Sequence, residues 1–464
     1  MKKLLTVGGV TVVVLAVVGG LILYNLRSRS PEVLLRRLAA GRGDRQELIM
    51  QLNLCRGDVV PTYLDALTWE ETSADFRATV LDLLFKKNRR SPDERIEEVI
   101  LRSLADPDTT VRRAAARGIA TYGNDDLQIA LAGRVTDPDP ETRRQAYLVL
   151  GGPADWYDPA GGLWREMSDG QRDEVIRDCL AQLGSEQDPK MRLLARAVLG
   201  REIEIRAREA MRAVQTSDMM GAEKILREAL QLDPQNHQAR IRLVRHYYKN
   251  VDKGKALELA REHGALIEIP QLSRAPEIDG DPTDEVWKEA FTTDEFYKTT
   301  SRWVPMRIEG RSRAHAGHRD GKIYIAVLGY EEDLSMLIGE HTARDSEVFL
   351  DDCVEMIFDP DVTGDRMYQF VVNSVGVLFD QADRDNKKNF PCEYKVRIFP
   401  DRGYWACEFA VDGKELGNHP IKPGDVWSLV LFRARLGPAS EHGGTWPLFG
   451  GAMRMDLYPL AIFK

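Results

Sequence analysis

The chain has 464 residues, 43% of them hydrophobic and 30% charged, and a formal net charge of -9. Its length allows about three domains of ~150 residues, and its acidic balance excludes the basic nucleic-acid binders. Five cysteines, Cys55, Cys179, Cys353, Cys392 and Cys407, are widely spaced and form no CxxC pair, which argues against a zinc or redox motif. Cys392 and Cys407 would pair only across adjacent strands, and free buried thiols are the expectation.

Met1-Lys2-Lys3 precedes an uncharged run from Leu4 to Tyr24, rich in Val, Leu and Gly. About 20 apolar residues in a helix cross a ~30 Å hydrocarbon core. A cleaved signal has a shorter apolar region, roughly 7–15 residues, and a small-x-small site. This run ends instead in Leu21-Ile22-Leu23-Tyr24-Asn25. Residues 1–29 are therefore predicted to form an uncleaved signal anchor, a single transmembrane helix. Lys2 and Lys3 precede the run and Arg27, Arg29, Arg36 and Arg37 follow it, so charge leaves the orientation open. The C-terminal domain points the soluble part to a periplasmic or extracellular location.

From Pro31 to about Leu266 the texture is helical. Leu104-Ala105-Asp106-Pro107-Asp108 precedes Val111-Arg112-Arg113-Ala114-Ala115, and Val135-Thr136-Asp137-Pro138-Asp139 precedes Thr142-Arg143-Arg144-Gln145-Ala146. Gln187-Asp188-Pro189 likewise precedes Met191-Arg192-Leu193-Leu194-Ala195, and Ser73-Ala74-Asp75-Phe76-Arg77 is a weaker copy. The Asp-Pro turn stops one helix, an arginine and apolar residues open the next, and small residues such as Ala115 and Ala116 let helices approach closely. Arg112 and Arg143 stand 31 residues apart, Arg143 and Arg192 stand 49 apart. The longer interval holds Gly151 to Gly170, with Trp156, Tyr157 and Trp164, predicted to be a loop that packs its aromatics on the helices. On these motifs residues 30–206 resemble short HEAT repeats, units that bury their faces by stacking.

In 207–266, Ala222, Leu226, Ala229 and Leu232-Asp233-Pro234-Gln235-Asn236 precede Ala239, Leu243, Tyr247 and Ala256. Ala222 and Ala256 are 34 residues apart, the tetratricopeptide period, and the stretch resembles one such repeat and part of another. Both resemblances imply a surface for a protein partner. Residues 31–264 show no nucleophile or metal spacing, and His237, His246 and His263 are scattered.

Beyond Ile267 the period becomes two. Pro270 and Pro276 break helices, Ile278-Asp279-Gly280-Asp281 reads as a turn, and Asp284 to Ala290 reads as a helical turn. Lys322 to Val327, Cys353 to Phe358, Tyr368 to Asn373, Tyr394 to Phe399, Tyr404 to Ala410 and Val426 to Arg433 read as strands. This spacing predicts an antiparallel β-sandwich over 267–464. The fold class expected is thus a transmembrane helix, an α-helical solenoid and a β-sandwich.

Seven pieces in order resemble a family 9 carbohydrate-binding module. They are Ile278-Asp279-Gly280 with Trp287; Asp320-Gly321-Lys322-Ile323-Tyr324-Ile325-Ala326; Asp351-Asp352-Cys353-Val354-Glu355-Met356-Ile357-Phe358-Asp359-Pro360; Tyr368-Gln369-Phe370-Val371-Val372-Asn373-Ser374-Val375-Gly376; Trp405-Ala406-Cys407-Glu408-Phe409-Ala410; Gly424-Asp425-Val426-Trp427 with Arg433; and Thr445-Trp446 before Phe449-Gly450. A pyranose offers an apolar CH face to aromatic rings and a rim of hydroxyls to paired donors and acceptors. By the resemblance, Phe349 and Trp446 fall on the two aromatic positions of the sugar site, Glu355 and Asn373 on its acidic and amide positions, and Val371 where the family has an arginine. Gln369, Val371 and Asn373 alternate and so face one side. Trp287, Trp405 and Trp427 are expected in the core.

The resemblance also implies structural calcium. Asp359-Pro360-Asp361 with Gly364-Asp365 is the acidic turn in question, a solvated turn being the other reading. His315 and His318 have opposite strand parity and form no metal pair. The expected function is that of a membrane-anchored, non-catalytic carbohydrate-binding protein of the cell envelope with a helical arm for protein partners. One alternative is a scaffold whose sandwich has lost sugar binding, which Val371 supports. The other is a haem-binding electron-transfer relative of the sandwich, with Met336, Met356, Met367 and His341 as axial candidates and no CxxCH for covalent attachment. A glycosidase would need two carboxylates about 5–10 Å apart. Asp351 and Glu355 share a strand face, yet nothing marks either as the acid.

Overall fold

The structure, a computed structural model, describes residues 30–464 apart from 71, 90, 152–161, 302–303, 365, 437–442 and 447–454, with backbone alone over 298–306. The chain divides into two compact units, Met1–Val198 and Leu199–Lys464, the division falling within the helix Pro189–Gln215.

The first unit is built of α1 (Pro31–Ala39), α2 (Arg45–Leu54), α3 (Val60–Ala66), α4 (Ala74–Asn88), α5 (Glu94–Ser103), α6 (Thr109–Tyr122), α7 (Asp125–Ala132), α8 (Pro140–Leu150), α9 (Leu163–Glu166), α10 (Asp169–Ser185) and the start of α11 (Pro189–Gln215). The Asp-Pro turns start helices because the second aspartate caps the new one. Asp108 accepts the Thr110 N–H and Asp139 accepts that of Thr142, satisfying amides that have no partner in the first turn. The repeated arginine then ties each turn to the next. Arg112 Nη1 donates to the carbonyls of Asp106 (2.9 Å) and Pro107 (3.1 Å), and its Nε lies 3.3 Å from Asp137 of the following turn. Arg143 repeats the arrangement on Asp137 and Pro138 and reaches Glu186 at 2.8 Å. Gly118 allows close packing, since a Cβ there would fall 2.0 Å from the Phe85 ring. Trp164 is buried and begins to pack within the short α9; Trp156 and Tyr157 lie outside the described residues.

The second unit opens with the end of α11, then α12 (Met219–Leu232), α13 (His237–Asn250) and α14 (Lys253–Glu262). Ala207, Ala210, Ala222, Leu226, Leu243, Tyr247 and Ala256 form their common core, so the alanines of the repeat pattern are its contact points. Two sheets follow. Their strands are β1 (Leu266–Ile269), β2 (Phe291–Thr293), β3 (Phe296–Ser301), β4 (Val304–Ile308), β5 (Ser312–Arg319), β6 (Lys322–Tyr330), β7 (Cys353–Asp359), β8 (Tyr368–Asn373), β9 (Leu378–Ala382), β10 (Cys392–Phe399), β11 (Tyr404–Asp412), β12 (Val426–Ala434), β13 (Gly444–Trp446) and β14 (Leu460–Phe463). The larger sheet runs β4-β3-β13-β12-β7-β8-β9, with β14 beside β12 and β1 beside β14; the smaller runs β10-β11-β6-β5-β2. Pairing between these strands is antiparallel except between β1 and β14, which lie parallel. Phe358 and Phe370 of the larger sheet meet Phe409 of the smaller, with ring centres 6.4 and 5.0 Å apart, in an apolar core shared by both.

The Ile278-Asp279-Gly280 turn and Trp287 have one buried partner. Glu408 accepts the N–H groups of Asp279 (3.0 Å) and Gly280 (2.7 Å) and the Trp287 indole N–H (2.8 Å). Gly280 has φ +87°, and a Cβ there would press on Arg397. Cys392 and Cys407 do lie on adjacent strands, but register pairs them with Val411 and Val396 respectively, and all five thiols are free.

The fold class expected from the sequence needs correction at its first element. The run Leu4–Tyr24 lies outside the described residues, and among the described residues no helix is long and apolar enough to cross a membrane. The longest, α11, has 27 residues but is interrupted throughout by charge, including Arg196, Arg201, Glu202 and Glu204. The transmembrane helix, and with it the membrane-anchored periplasmic or extracellular localisation, are therefore not supported. Helical repeats followed by a two-sheet domain remain.

Candidate binding face

Along β7, Val354, Met356 and Phe358 point into the core, which leaves Cys353, Glu355, Ile357 and Asp359 on the outer face of the larger sheet. Register then assembles two cross-strand rows there. One runs Thr445, Phe432, Glu355, Val371, Phe379 across β13, β12, β7, β8 and β9; the next runs Val430, Ile357, Gln369, Gln381. A diagonal chain of hydrogen bonds joins them. Gln381 Nε2 donates to Gln369 Oε1, and Gln369 Nε2 donates to Glu355 Oε1 at 2.5 Å. Burial pushes the Glu355 carboxyl up to about 7, against the hydrogen bond from Gln369 that favours its charged form. Near neutral pH this group therefore both donates and accepts, whereas at higher pH it only accepts.

Phe349 sits on the single 3-10 turn Val348–Leu350 and is 43% exposed. Its edge meets Phe379 with ring centres 5.6 Å apart, which places it over the Glu355 row. The turn is anchored by Val348, which is buried with Cys353, Val371 and Phe379. Val371, where the resemblance implies an arginine, is thus an apolar support for the turn.

The other two residues implied by the resemblance are placed differently. Trp446 is 5% exposed, because β13 pairs it with Leu431, an inward residue, and its ring packs on Phe291 at 5.2 Å within the core. It offers no face to a ligand; Thr445 is the outward residue of that strand. Asn373 does lie on the outer side but is fully buried. Its Nδ2 donates to Asp351 Oδ2 (2.8 Å) and to the His341 carbonyl (2.9 Å), and its Oδ1 accepts the Val377 N–H. Burial alone would raise the Asp351 carboxyl, but hydrogen bonds from the His341 ring, Asn373 and the N–H groups of Glu340 and His341 hold it below the usual range. Asn373 and Asp351 therefore fix the loop carrying His341. Asp352 fixes the same loop from the next position, accepting Ile338 N–H (2.6 Å), Leu436 N–H (2.6 Å) and Arg435 Nη1 (2.8 Å).

The acidic turn does not suit a calcium ion. Asp359 Oδ2 accepts from Arg245 and from Gly364 N–H and Asp361 Oδ1 accepts from Thr363, so the Arg245 guanidinium already meets the charge there, while the buried Asp359 Oδ1 has no hydrogen-bond partner. Asp365 lies outside the described residues. Among the described residues no group of three or more His, Cys, Asp and Glu side chains converges as a metal site would require. The sulfur candidates for haem are also divided. Met356 is in the core between the sheets, Met367 is in a cluster on the outer face with Ile357 and Tyr458, and Met336 is exposed.

Gln381, Phe379 and Phe432 went unread in the sequence. The signal available was the alternation of β9 and the pairing of Phe432 beside Glu355, both of which need strand register to interpret.

Residues 96–160 match the HEAT-repeat family. A solved protein of Bacteroides uniformis ATCC 8492, named a "putative carbohydrate-binding protein", is similar over 43% of this chain and 99% of its own, at 13% identity and a TM-score of 0.32. An engineered protein is similar over 45% of this chain and 95% of its own, at 14% identity and a TM-score of 0.25. No curated protein matches the chain.

Proposed function

We propose that this chain is a non-catalytic, glycan-binding protein that takes a sugar on the outer face of its larger sheet and protein partners on its helical repeats. The observation that carries the reading is the hydrogen-bonded chain Glu355–Gln369–Gln381 on a face whose β9 end, at Phe379, carries the exposed ring of Phe349. The ring supplies a surface for the CH face of a pyranose, and the row supplies fixed acceptors and donors for its hydroxyls. Asp351 and Asp352 near this face are engaged by amides and arginine, and Asp359, the other carboxylate on the outer side of β7, is paired with Arg245, which argues against a free second carboxylate of the kind glycoside hydrolysis uses.

A glycan array probed with the full chain tests this. Binding to a sugar class that is lost on Glu355→Ala supports the reading. A blank array with folded protein favours the alternative of a scaffold that has lost its ligand, for which the inward Trp446 and the committed Asn373 already speak.

A further inference from the structure

Arg242, Arg245 and Lys249 recur at helical spacing on one face of α13. Arg245 is 5% exposed and reaches the sheet with both ends of its guanidinium. Nη1 donates to Ser428 Oγ (2.7 Å) and the Tyr458 carbonyl (3.2 Å); Nη2 donates to Asp359 Oδ2 and the Val362 carbonyl (both 3.3 Å). Arg242 donates through Nε and Nη2 to Asp456 Oδ2 (3.2 and 3.1 Å) and pairs with Glu204 of α11. The short turn Met455–Leu457 and its successor Tyr458 are thus held at two points by one helix.

That turn is part of the outer face. Leu457 and Tyr458 pack with Ile357, Met367 and Val430, with Phe432 and Met455 at the margin. Glu355 is the next outward residue of β7 before Ile357 and pairs with Phe432 of this cluster's margin; burial first, and then the Glu355 charge, push the Tyr458 phenol above its ordinary range. A groove of about 480 Å³ is lined by Met211, Leu226, Arg242, Arg245, Gly364 and Asp456, among others.

We propose that Arg242 and Arg245 are positioning residues for the Glu355 face: they set the Met455–Tyr458 turn as its wall, so the α13 helix controls how the face admits a ligand. The proposal rests on reading that face as the binding site. It makes the helices before the sheets part of the site's construction, and it makes a ligand of the groove able to act on the face through two shared residues.

The test follows Glu355 itself in the full chain, by ¹³C NMR of labelled glutamate carboxyls, with the signal identified by its loss in Glu355→Gln. In the parent chain the midpoint is expected near 7. Arg242→Gln, and separately Asp456→Asn from the sheet side, release the turn, admit water to Glu355, and lower the midpoint by about one pH unit or more. Arg242→Lys, which keeps one ion pair, recovers part of the shift. Helicity by circular dichroism stays at the parent value in each, and Arg36→Ala, on α1 of the first unit, moves nothing. A midpoint unmoved in both Arg242→Gln and Asp456→Asn overturns the proposal. Because this readout needs no sugar, it decides the positioning role even if the glycan array is blank, and a blank array bears only on the functional reading.

Discussion

The helical repeats and the sheet domain both bury charge, and they find partners for it at different distances along the chain. In the repeats, Arg112 meets Asp137 over 25 residues, Arg113 meets Asp139 over 26, and Arg143 meets Glu186 over 43, each time from one turn to the next. In the sheet domain, Arg433 meets Glu331 over 102 residues, Glu408 meets Trp287 over 121, and Arg245 meets Asp359 over 114. The repeat charges are also better solvated: the Arg113 side chain is 47% exposed, whereas the side chains of Arg433 and Glu331 are 0% and 2% exposed. A repeated local device can lose one copy and keep its neighbours. A long-range buried network has no second copy, so the loss of one member leaves the others stranded in a low-dielectric interior.

The largest effect expected from this contrast is at Asp352. Replacing it by Ala removes one carboxylate partner of Arg435, which keeps Glu331, and the acceptor for two backbone N–H groups at 0% exposure. Breaking a buried pair in this way costs about 3–5 kcal/mol. Denaturant unfolding of Asp352→Ala should show that loss, and a loss within the range of surface substitutions would break the comparison. The equivalent change in the repeats, Arg112→Ala, removes two carbonyl contacts and one ion pair at 12% side-chain exposure. It is expected to cost about 1.5–3 kcal/mol, the range for hydrogen bonds to charged groups, read as a lower midpoint for the repeat region alone.

The same contrast explains what the sequence could convey. The Asp-Pro turns, the following arginines and the alanines at contact positions are local and periodic, and they predicted the repeats and their faces. Strand alternation placed Cys353–Asp359, Tyr368–Asn373 and Val426–Ala434 to within one residue. It missed β5, whose Ser312-Arg313-Ala314-His315-Ala316-Gly317-His318-Arg319 carries little apolar signal although Ala314 and Ala316 are in the core. At the candidate face, Glu355 is on the outer side of β7 and Phe349 packs on Phe379 of the same cross-strand row. Trp446 did not, because its parity is set by pairing with Leu431, and Asn373 was already committed to Asp351, twenty-two residues away. Those facts belong to register and to distant partners, neither of which leaves a local trace. The anchor was inferred from the length, composition and ends of the run Leu4–Tyr24, which lies outside the described residues, and no described helix is long and apolar enough to cross a membrane.

A smaller effect sharpens the comparison at Glu355, a half-buried acid with an amide partner. Its carboxyl is raised from 4.5 to about 7 in the folded chain. The stability its neutral form allows is therefore complete below its ordinary value and is lost as pH rises through about 7. Glu355→Gln removes that loss while keeping an acceptor for Gln369. At pH 8 the variant should be more stable than the parent by about 1–3 kcal/mol, and at pH 4 the two should coincide. Thermal melts at both values check this, and a variant less stable than the parent at pH 8 would show that Glu355 is not held in the state described.

The account's central claim, that the outer face around Glu355 is the binding site, is tested most directly at Phe349. Its ring is 43% exposed and its backbone turn is held by Val348, so Phe349→Ala should fold normally and melt within a degree or two of the parent. Isothermal titration with the strongest glycan from the array should then show affinity weakened about five- to tenfold, the worth of one aromatic stacking contact. An affinity equal to the parent's, in a variant that melts with it, would contradict the claim and place the sugar elsewhere on the protein.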